Sequence, residues 1–191
     1  MGRSAARGAS IAVRRPFDEV RTERLLMRRW RDADREAYAA MNADPQVMRY
    51  FPATMSQADS DAHVDRIEEL FDRVGVGLWA LEVSRTGKFI GFTGLNPVPE
   101  YVPGAEGFEI GWRLAAHAWH QGYATEAATA ALHVGFSGAG LDRIWSFTSV
   151  LNTPSAAVMR RIGMSQHGFF EHPRIEPGHP LRRHVLYRKD R

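Results

Sequence analysis

No cysteine occurs anywhere in the 191 residues. Its absence excludes disulfides, thiolate metal sites, iron–sulfur clusters and a cysteine nucleophile, and leaves the chain indifferent to the redox state of its compartment. No stretch approaches the roughly 20 apolar residues that a membrane helix needs. The arginine-bearing N-terminus lacks the continuous apolar core of a secretory signal, so a soluble cytoplasmic protein is the expectation. Low-complexity and collagen-like compositions are also missing: with 44% hydrophobic and 25% charged residues, the chain has what one sizeable core requires.

The net charge of +3 invites a nucleic-acid reading, but its distribution argues against one. Residues 1–17 carry Arg3, Arg7, Arg14 and Arg15 without an acid, a local charge of +4, and residues 182–191 also sum to +4. The body between them is therefore mildly acidic, at −5. Basic ends of this kind are solvated tails more often than phosphate-binding surfaces, and no nucleic-acid or membrane partner is expected.

Residues 1–20 mix Gly, Ser, Ala and Arg with no sustained period and read as a flexible basic tail, leaving 21–191 as one domain. Glu23–Arg29 alternates around Leu25 and Met27, as a strand does, and Asp32 or Asp34 caps a helix ending near Ala43, before Pro45. Ser56 and Asp59 form a capping box ahead of a helix whose stripe is Val64, Ile67, Leu70 and Phe71. The period then changes to that of strands at 79–83 and 89–95, a hairpin turning at 85–88, followed by a Pro-rich loop at 96–106. Phe108–Leu114 is the next strand, Tyr123–Phe136 an alanine-rich helix, Arg143–Val150 a strand, and Pro154–Ile162 a helix stopped by Gly163. Short strands near 168–170 and 184–188 complete a mixed α/β domain of order β-α-α-β-β-β-α-β-α-β-β.

Two segments carry chemistry. In Trp119–His120–Gln121–Gly122–Tyr123–Ala124–Thr125–Glu126–Ala127 a glycine-containing loop opens a helix, where unpaired N–H groups and the positive helix end favour a phosphate. It lacks both the lysine of a Walker loop and the three-glycine spacing of a dinucleotide fingerprint. In Asn152–Thr153–Pro154–Ser155, Asn152 and Ser155 precede a second alanine-rich turn, where capping is the simplest role.

Taken together and in this order, the segments resemble the GNAT superfamily of acyl-CoA-dependent N-acetyltransferases, and within it the ribosomal-protein N-terminal acetyltransferases. The resemblance runs from Thr22 to Lys189. It rests on Thr22–Arg28, Phe89–Leu95, Glu109–Leu114, the loop Gly122–Ala127, and Asn152–Ser155 ahead of Arg161–Met164. It implies a mixed, mostly antiparallel sheet splayed around the cofactor with helices on both faces, and acetyl-CoA as cosubstrate. Backbone groups of Trp112, Arg113 and Leu114 would pair with the pantetheine arm. Those of His120, Gln121, Gly122, Tyr123, Ala124 and Thr125 would hold the pyrophosphate. Asn152 would bond the pantetheine, and Ser155 would protonate the leaving thiolate. Met159 stands where relatives often place a tyrosine acid, which moves that role to Ser155 or water.

Direct attack by an amine needs no enzyme nucleophile, only a neutral amine; an α-amino group with a pKa near ~7.7–8.0 needs less help than a lysine near ~10.4. Glu109 is the candidate base, against a plain reading as a solvated or salt-bridged edge carboxylate. Glu126 reads as a helix-start carboxylate facing the dipole. His117, His120 and His133 lack metal-site spacing, so no metal is expected. The expected partner is an amine acceptor, a peptide or protein α-amino group or else a small molecule, with a homodimer as a common arrangement among relatives. A non-catalytic acyl-CoA sensor is the alternative from another class.

Overall fold

A computed structural model describes residues 17–191. The expected basic tail lies outside the described residues as far as residue 16. Its last residues belong to the domain, since Glu19–Arg21 form a first edge strand, β1. The others are β2 (Leu25–Arg28), β3 (Leu78–Val83), β4 (Lys88–Pro97), β5 (Phe108–Leu114), β6 (Arg143–Ser149), β7 (Ser165–Glu171) and β8 (Arg183–Asp190). They form an eight-stranded sheet in the order β1-β2-β3-β4-β5-β6-β8-β7. The β5–β6 contact is parallel and all other neighbours are antiparallel.

The helices are α1 (Arg35–Ala43), α2 (Pro45–Met48), α3 (Gln57–Val74), α4 (Tyr123–His133) and α5 (Thr153–Arg161). Pro45 begins α2 rather than merely ending α1: a proline at the first helical position loses no intrahelical bond, and Asp44 caps the turn by accepting from Gln46 N. The capping box at α3 forms as expected, Ser56 and Asp59 each accepting from the other's backbone N–H. α4 passes at Val134–Gly138 into a π-helical turn instead of continuing as α-helix to Phe136.

On one face of the sheet Phe92 meets Tyr38 of α1 and His63 of α3. Three residues along β4, on the opposite face, Leu95 lies beneath the extension of α4, where a Cβ on Gly135 would come within 3.1 Å of it. Ala127, Ala128 and Ala131 are fully buried, so α4 lies directly on β4 and β5. The strands themselves approach closely at Gly91, where a Cβ would fall 2.2 Å from the carbonyl oxygen of Arg113. A smaller core of Val102, Ala105, Trp145, Phe170 and Leu186 fastens the Pro-rich loop to β6, β7 and β8.

Where α1 starts, Arg28 and Asp34 form a bidentate pair with bonds of 2.7 and 2.9 Å, only 5% and 4% exposed. Glu82 takes the Arg28 Nε at 2.8 Å. Asp34 thus ties the helix entry to the sheet instead of capping α1 with its side chain.

Candidate active site

β5 and β6 share only the pairs Phe108–Ile144 and Glu109–Trp145, then diverge. Ser146 Oγ donates to the Ile110 carbonyl at 2.9 Å, and no further ladder joins the two strands. Backbone groups alternate sides along a strand, so Ile110, Trp112 and Leu114 turn theirs toward the gap. The Leu114 carbonyl is taken by the Trp119 indole Nε1 at 2.8 Å. Trp112, between the two occupied carbonyls, has both backbone groups turned to the gap, and Leu114 its N–H. The gap opens into a cleft of about 1600 Å³.

At the wide end of the gap the chain from His120 to Thr125 turns into α4. His120 is a non-glycine residue at φ +60 and Gly122 lies at φ +81, both left-handed, so the backbone is coiled tightly before the helix begins. The first N–H groups of α4 have no partners within the helix, which gives an anion two reasons to bind there. Glu126 in the first turn accepts from Thr22 Oγ1 at 2.6 Å, from Arg24 N at 2.8 Å and from Arg24 Nε at 2.7 Å. Arg24 Nη1 also donates to the Gln121 carbonyl at 2.8 Å. Burial pushes the Glu126 carboxyl up, but the bonds from Thr22 and Arg24 outweigh it and hold the group below its ordinary range.

On the far wall, Asn152 Oδ1 accepts from Ser155 N at 3.2 Å, capping α5, while its Nδ2 donates to Thr148 Oγ1 at 2.9 Å. Asn152, Ser155 and Met159 line the same cleft, and the Met159 thioether, 1% exposed, belongs to the core.

Glu109 lies at the narrow end, where the strands part. Burial pushes its carboxyl up to about 8, and its cross-strand neighbour Asn96 offsets only part of this. The residue is half-buried and, among the described residues, forms no salt bridge. The six arginines lining the cleft are Arg24, Arg49, Arg113, Arg160, Arg161 and Arg174; the carboxylates are Glu23, Glu109 and Glu126. The cleft is therefore cationic although the body of the chain is acidic. Among the described residues no group of three or more His, Asp or Glu side chains is arranged to hold a metal, and no helix is long and apolar enough to cross a membrane.

The family model described as an acetyltransferase (GNAT) domain matches residues 24–165, which include β2 to β6, the loop before α4 and α5. The chain belongs to the GNAT acetyltransferase family. An uncharacterized N-acetyltransferase of Bacillus subtilis, YnaD, is 31% identical over 153 residues, 80% of this chain and 85% of the relative. A GNAT-family acetyltransferase structure from Bacillus anthracis superposes with a TM-score of 0.74 at 28% identity, covering 90% of this chain and 98% of the other. The coenzyme A complex of RimL, a ribosomal L7/L12 α-N-protein acetyltransferase, has a TM-score of 0.72 over 88% of this chain and 95% of its own. At 18% identity, that likeness is one of fold.

As a GNAT protein, the chain is an acetyl-CoA-dependent N-acetyltransferase. The sheet is the mixed, mostly antiparallel and splayed one that the resemblance implied. The cleft brings together Glu109, Trp112, His120, Gly122, Tyr123, Ala124, Thr125, Asn152 and Ser155. Arg113 departs from its expected role. Its carbonyl points into β4 at Gly91, so its backbone is unavailable to a pantetheine arm and its side chain is what the cleft receives. Gln121 is not among the lining residues, and its carbonyl serves Arg24. Sequence reasoning missed further side chains of the cleft: His63, Phe51, Tyr101, His172 and His184 all line it. Tyr101 OH and His172 Nε2 lie 3.1 Å apart, and the His172 and His184 rings 4.9 Å apart. These residues come from the segments following β2, from the Pro-rich loop, from the loop after β7 and from β8, and no local pattern links them.

Proposed function

We propose that this protein transfers the acetyl group of acetyl-CoA to an α-amino group, of a peptide or protein N-terminus in the first instance, by direct attack in a ternary complex. The observation that carries the reading is Glu109, a carboxyl held near 8 at the point where the sheet opens. A base with a pKa near that of an α-amino group, about 7.7–8.0, is matched to taking its proton once the pH approaches that value. The cationic lining works in the same direction, because neighbouring positive charge and partial desolvation favour the neutral amine.

The residues fit acetyl-CoA in three places. Trp112 offers backbone groups facing the gap, the coiled loop and the N-terminus of α4 suit a pyrophosphate, and Ser155 has a hydroxyl on the wall opposite Glu109's strand. Acetyl-CoA supplies the acyl group. Glu109 takes the proton released by the amine, and Ser155 donates one to the departing sulfur. Asn152 keeps Ser155 in place by capping the helix turn on which it sits. With Met159 at the tyrosine position, the thioether offers no proton and the acid role stays with Ser155.

The test is calorimetric titration with acetyl-CoA and CoA, followed by mass spectrometry of acetyl transfer to N-terminally free peptides and to small amines. Micromolar CoA binding with peptide acetylation is the expected result. Acetylation confined to small amines would replace the acceptor part of the proposal, and no CoA binding would remove the whole of it. Ser155→Ala should lower turnover with CoA affinity retained; an unchanged rate would take the acid role from Ser155.

A further inference from the structure

Side chains alternate along β5, so Glu109, Gly111 and Arg113 share one face. A Cβ built on Gly111 would meet nothing within 4 Å, so the floor between the carboxyl and the guanidinium is open. Four residues at roughly 3.3 Å each place the two Cα atoms about 13 Å apart. This span suits a small molecule or the first residues of a peptide.

Arg113 is unlike the other interior arginines. Arg28 is paired with Asp34 and Glu82, and Arg29 with Glu68 and Asp72. Among the described residues no carboxylate pairs with Arg113. Its Nη1 donates to Asn42 Oδ1 at 2.7 Å and to Met55 Sδ at 3.6 Å, while its Nε is shut off from solvent and has no partner. The rings of Phe51 and Phe92 lie 4.2 and 5.6 Å from its guanidinium carbon. Burial lowers its pKa, but a guanidinium stays charged at neutral pH.

Its neighbour His63 registers the same field. Burial, then the charges of Arg113 and Arg66, bring that imidazole down to about 4. A half-buried cation without an anion, its Nε closed off from water, is costly, and aromatic faces with one amide oxygen compensate it incompletely. Phe51, which covers one side of the guanidinium, is 38% exposed and lies on the irregular segment between α2 and α3. The unpartnered Nε edge of the guanidinium has the fork geometry that a carboxylate binds side-on.

We propose that the acceptor bears a carboxylate as well as its amine, the carboxylate held by Arg113 and the amine presented over Gly111 toward Glu109. This rests on the acetyltransferase reading of the cleft and specifies its acceptor. A free α-amino acid has this chemistry, and so does a peptide N-terminus followed by an acidic side chain; polyamines and other purely cationic amines lack it.

Matched pairs test it. One arm compares common α-amino acids with their α-amides. The other compares a C-terminally amidated alanyl-aspartyl peptide with its alanyl-asparaginyl counterpart. Transfer is read as kcat/KM, and binding is read separately, without turnover, from the His63 ring resonances of the CoA-saturated protein across pH. In at least one arm the carboxylate-bearing member should be preferred by about tenfold or more. The preference should collapse to about twofold in Arg113→Gln and be partly kept in Arg113→Lys. The carboxylate-bearing member, and not its partner, should raise the His63 pKa by offsetting the charge of Arg113. The arm that responds identifies the source of the carboxylate. Equal use and equal His63 behaviour in both arms, or a preference surviving in folded Arg113→Gln, overturns the proposal. So does the absence of any response from a protein that binds CoA. A protein that does not bind CoA overturns the acetyltransferase reading instead.

Discussion

Arg24 and Glu126 hold each other across 102 positions of sequence, through the Arg24 backbone N–H and its side-chain Nε, which donate to the two oxygens of one carboxylate. The same arginine reaches the Gln121 carbonyl and lies 4.8 Å from the Tyr123 ring centroid. One residue ahead of β2 thereby fixes the loop proposed to take the pyrophosphate. Glu126→Gln weakens a charge-assisted clamp worth about 1–2 kcal/mol. The expected outcome is roughly a tenfold rise in the CoA dissociation constant by calorimetry. An unchanged constant would mean that the loop holds its shape without the clamp.

Gly122 adds a steric test of the same loop. At φ +81, a Cβ would meet Arg24 Nη2 at 3.2 Å. Gly122→Ala should cost about 1 kcal/mol or more in stability from the left-handed backbone alone, and should weaken CoA binding as Arg24 is displaced. Denaturant unfolding and calorimetry measure the two effects separately.

Glu109 sets a pH dependence whose sign is fixed by its raised pKa. Below about 8 the carboxyl is mostly protonated and does not act as a base. Log kcat/KM for an acceptor should therefore rise with pH toward a plateau above about 8. In Glu109→Gln the limb due to the carboxyl disappears and only the titration of the amine remains. Stability provides an independent reading. Between the ordinary carboxyl pKa of 4.5 and about 8 the folded state binds more protons at Glu109 than the unfolded chain does, so this group costs stability as pH rises through that window. The thermal midpoint of Glu109→Gln relative to the parent should thus increase from pH 5 to pH 8.5, values chosen to bracket roughly that window. A flat difference would show that the carboxyl is not raised.

Asp34→Asn tests the buried pair at the entrance of α1. Removing one partner leaves the Arg28 guanidinium with Glu82 alone, and the expected loss is about 3–5 kcal/mol in urea unfolding. A loss below about 1 kcal/mol would place the pair among the surface-like bridges that contribute little.

Much of the architecture was legible because it is written locally. The Ser56–Asp59 box, the hairpin turning at residues 85–88, the buried alanines of α4 and the stop at Gly163 each depend on neighbours a few positions away. β1 escaped notice because three residues give no period to read, and α2 because Pro45 was taken as an ending when proline is equally suited to a first helical turn. In the site, the chain segments holding the loop and the α5 entrance were readable as ordered fragments. The roles of Arg24, Arg28 and Arg113 were not. Each depends on a partner brought near by the sheet, and for Arg113 on the absence of one. The mild acidity of the whole body gave no hint that the cleft itself is lined by arginine.

The two ladder pairs and the Ser146 bond between β5 and β6 also have a mechanical consequence. The sheet is two panels, β1–β5 and β6–β8, joined along one short seam, with unpaired strand edges facing each other beyond it. A ligand seated between those edges, as proposed for acetyl-CoA, would serve as a missing strand and so as a building material of the fold. The protein between turnovers should therefore exchange its amides fastest on either side of the opening, and seating the ligand should bring the two panels into a single cooperative unit.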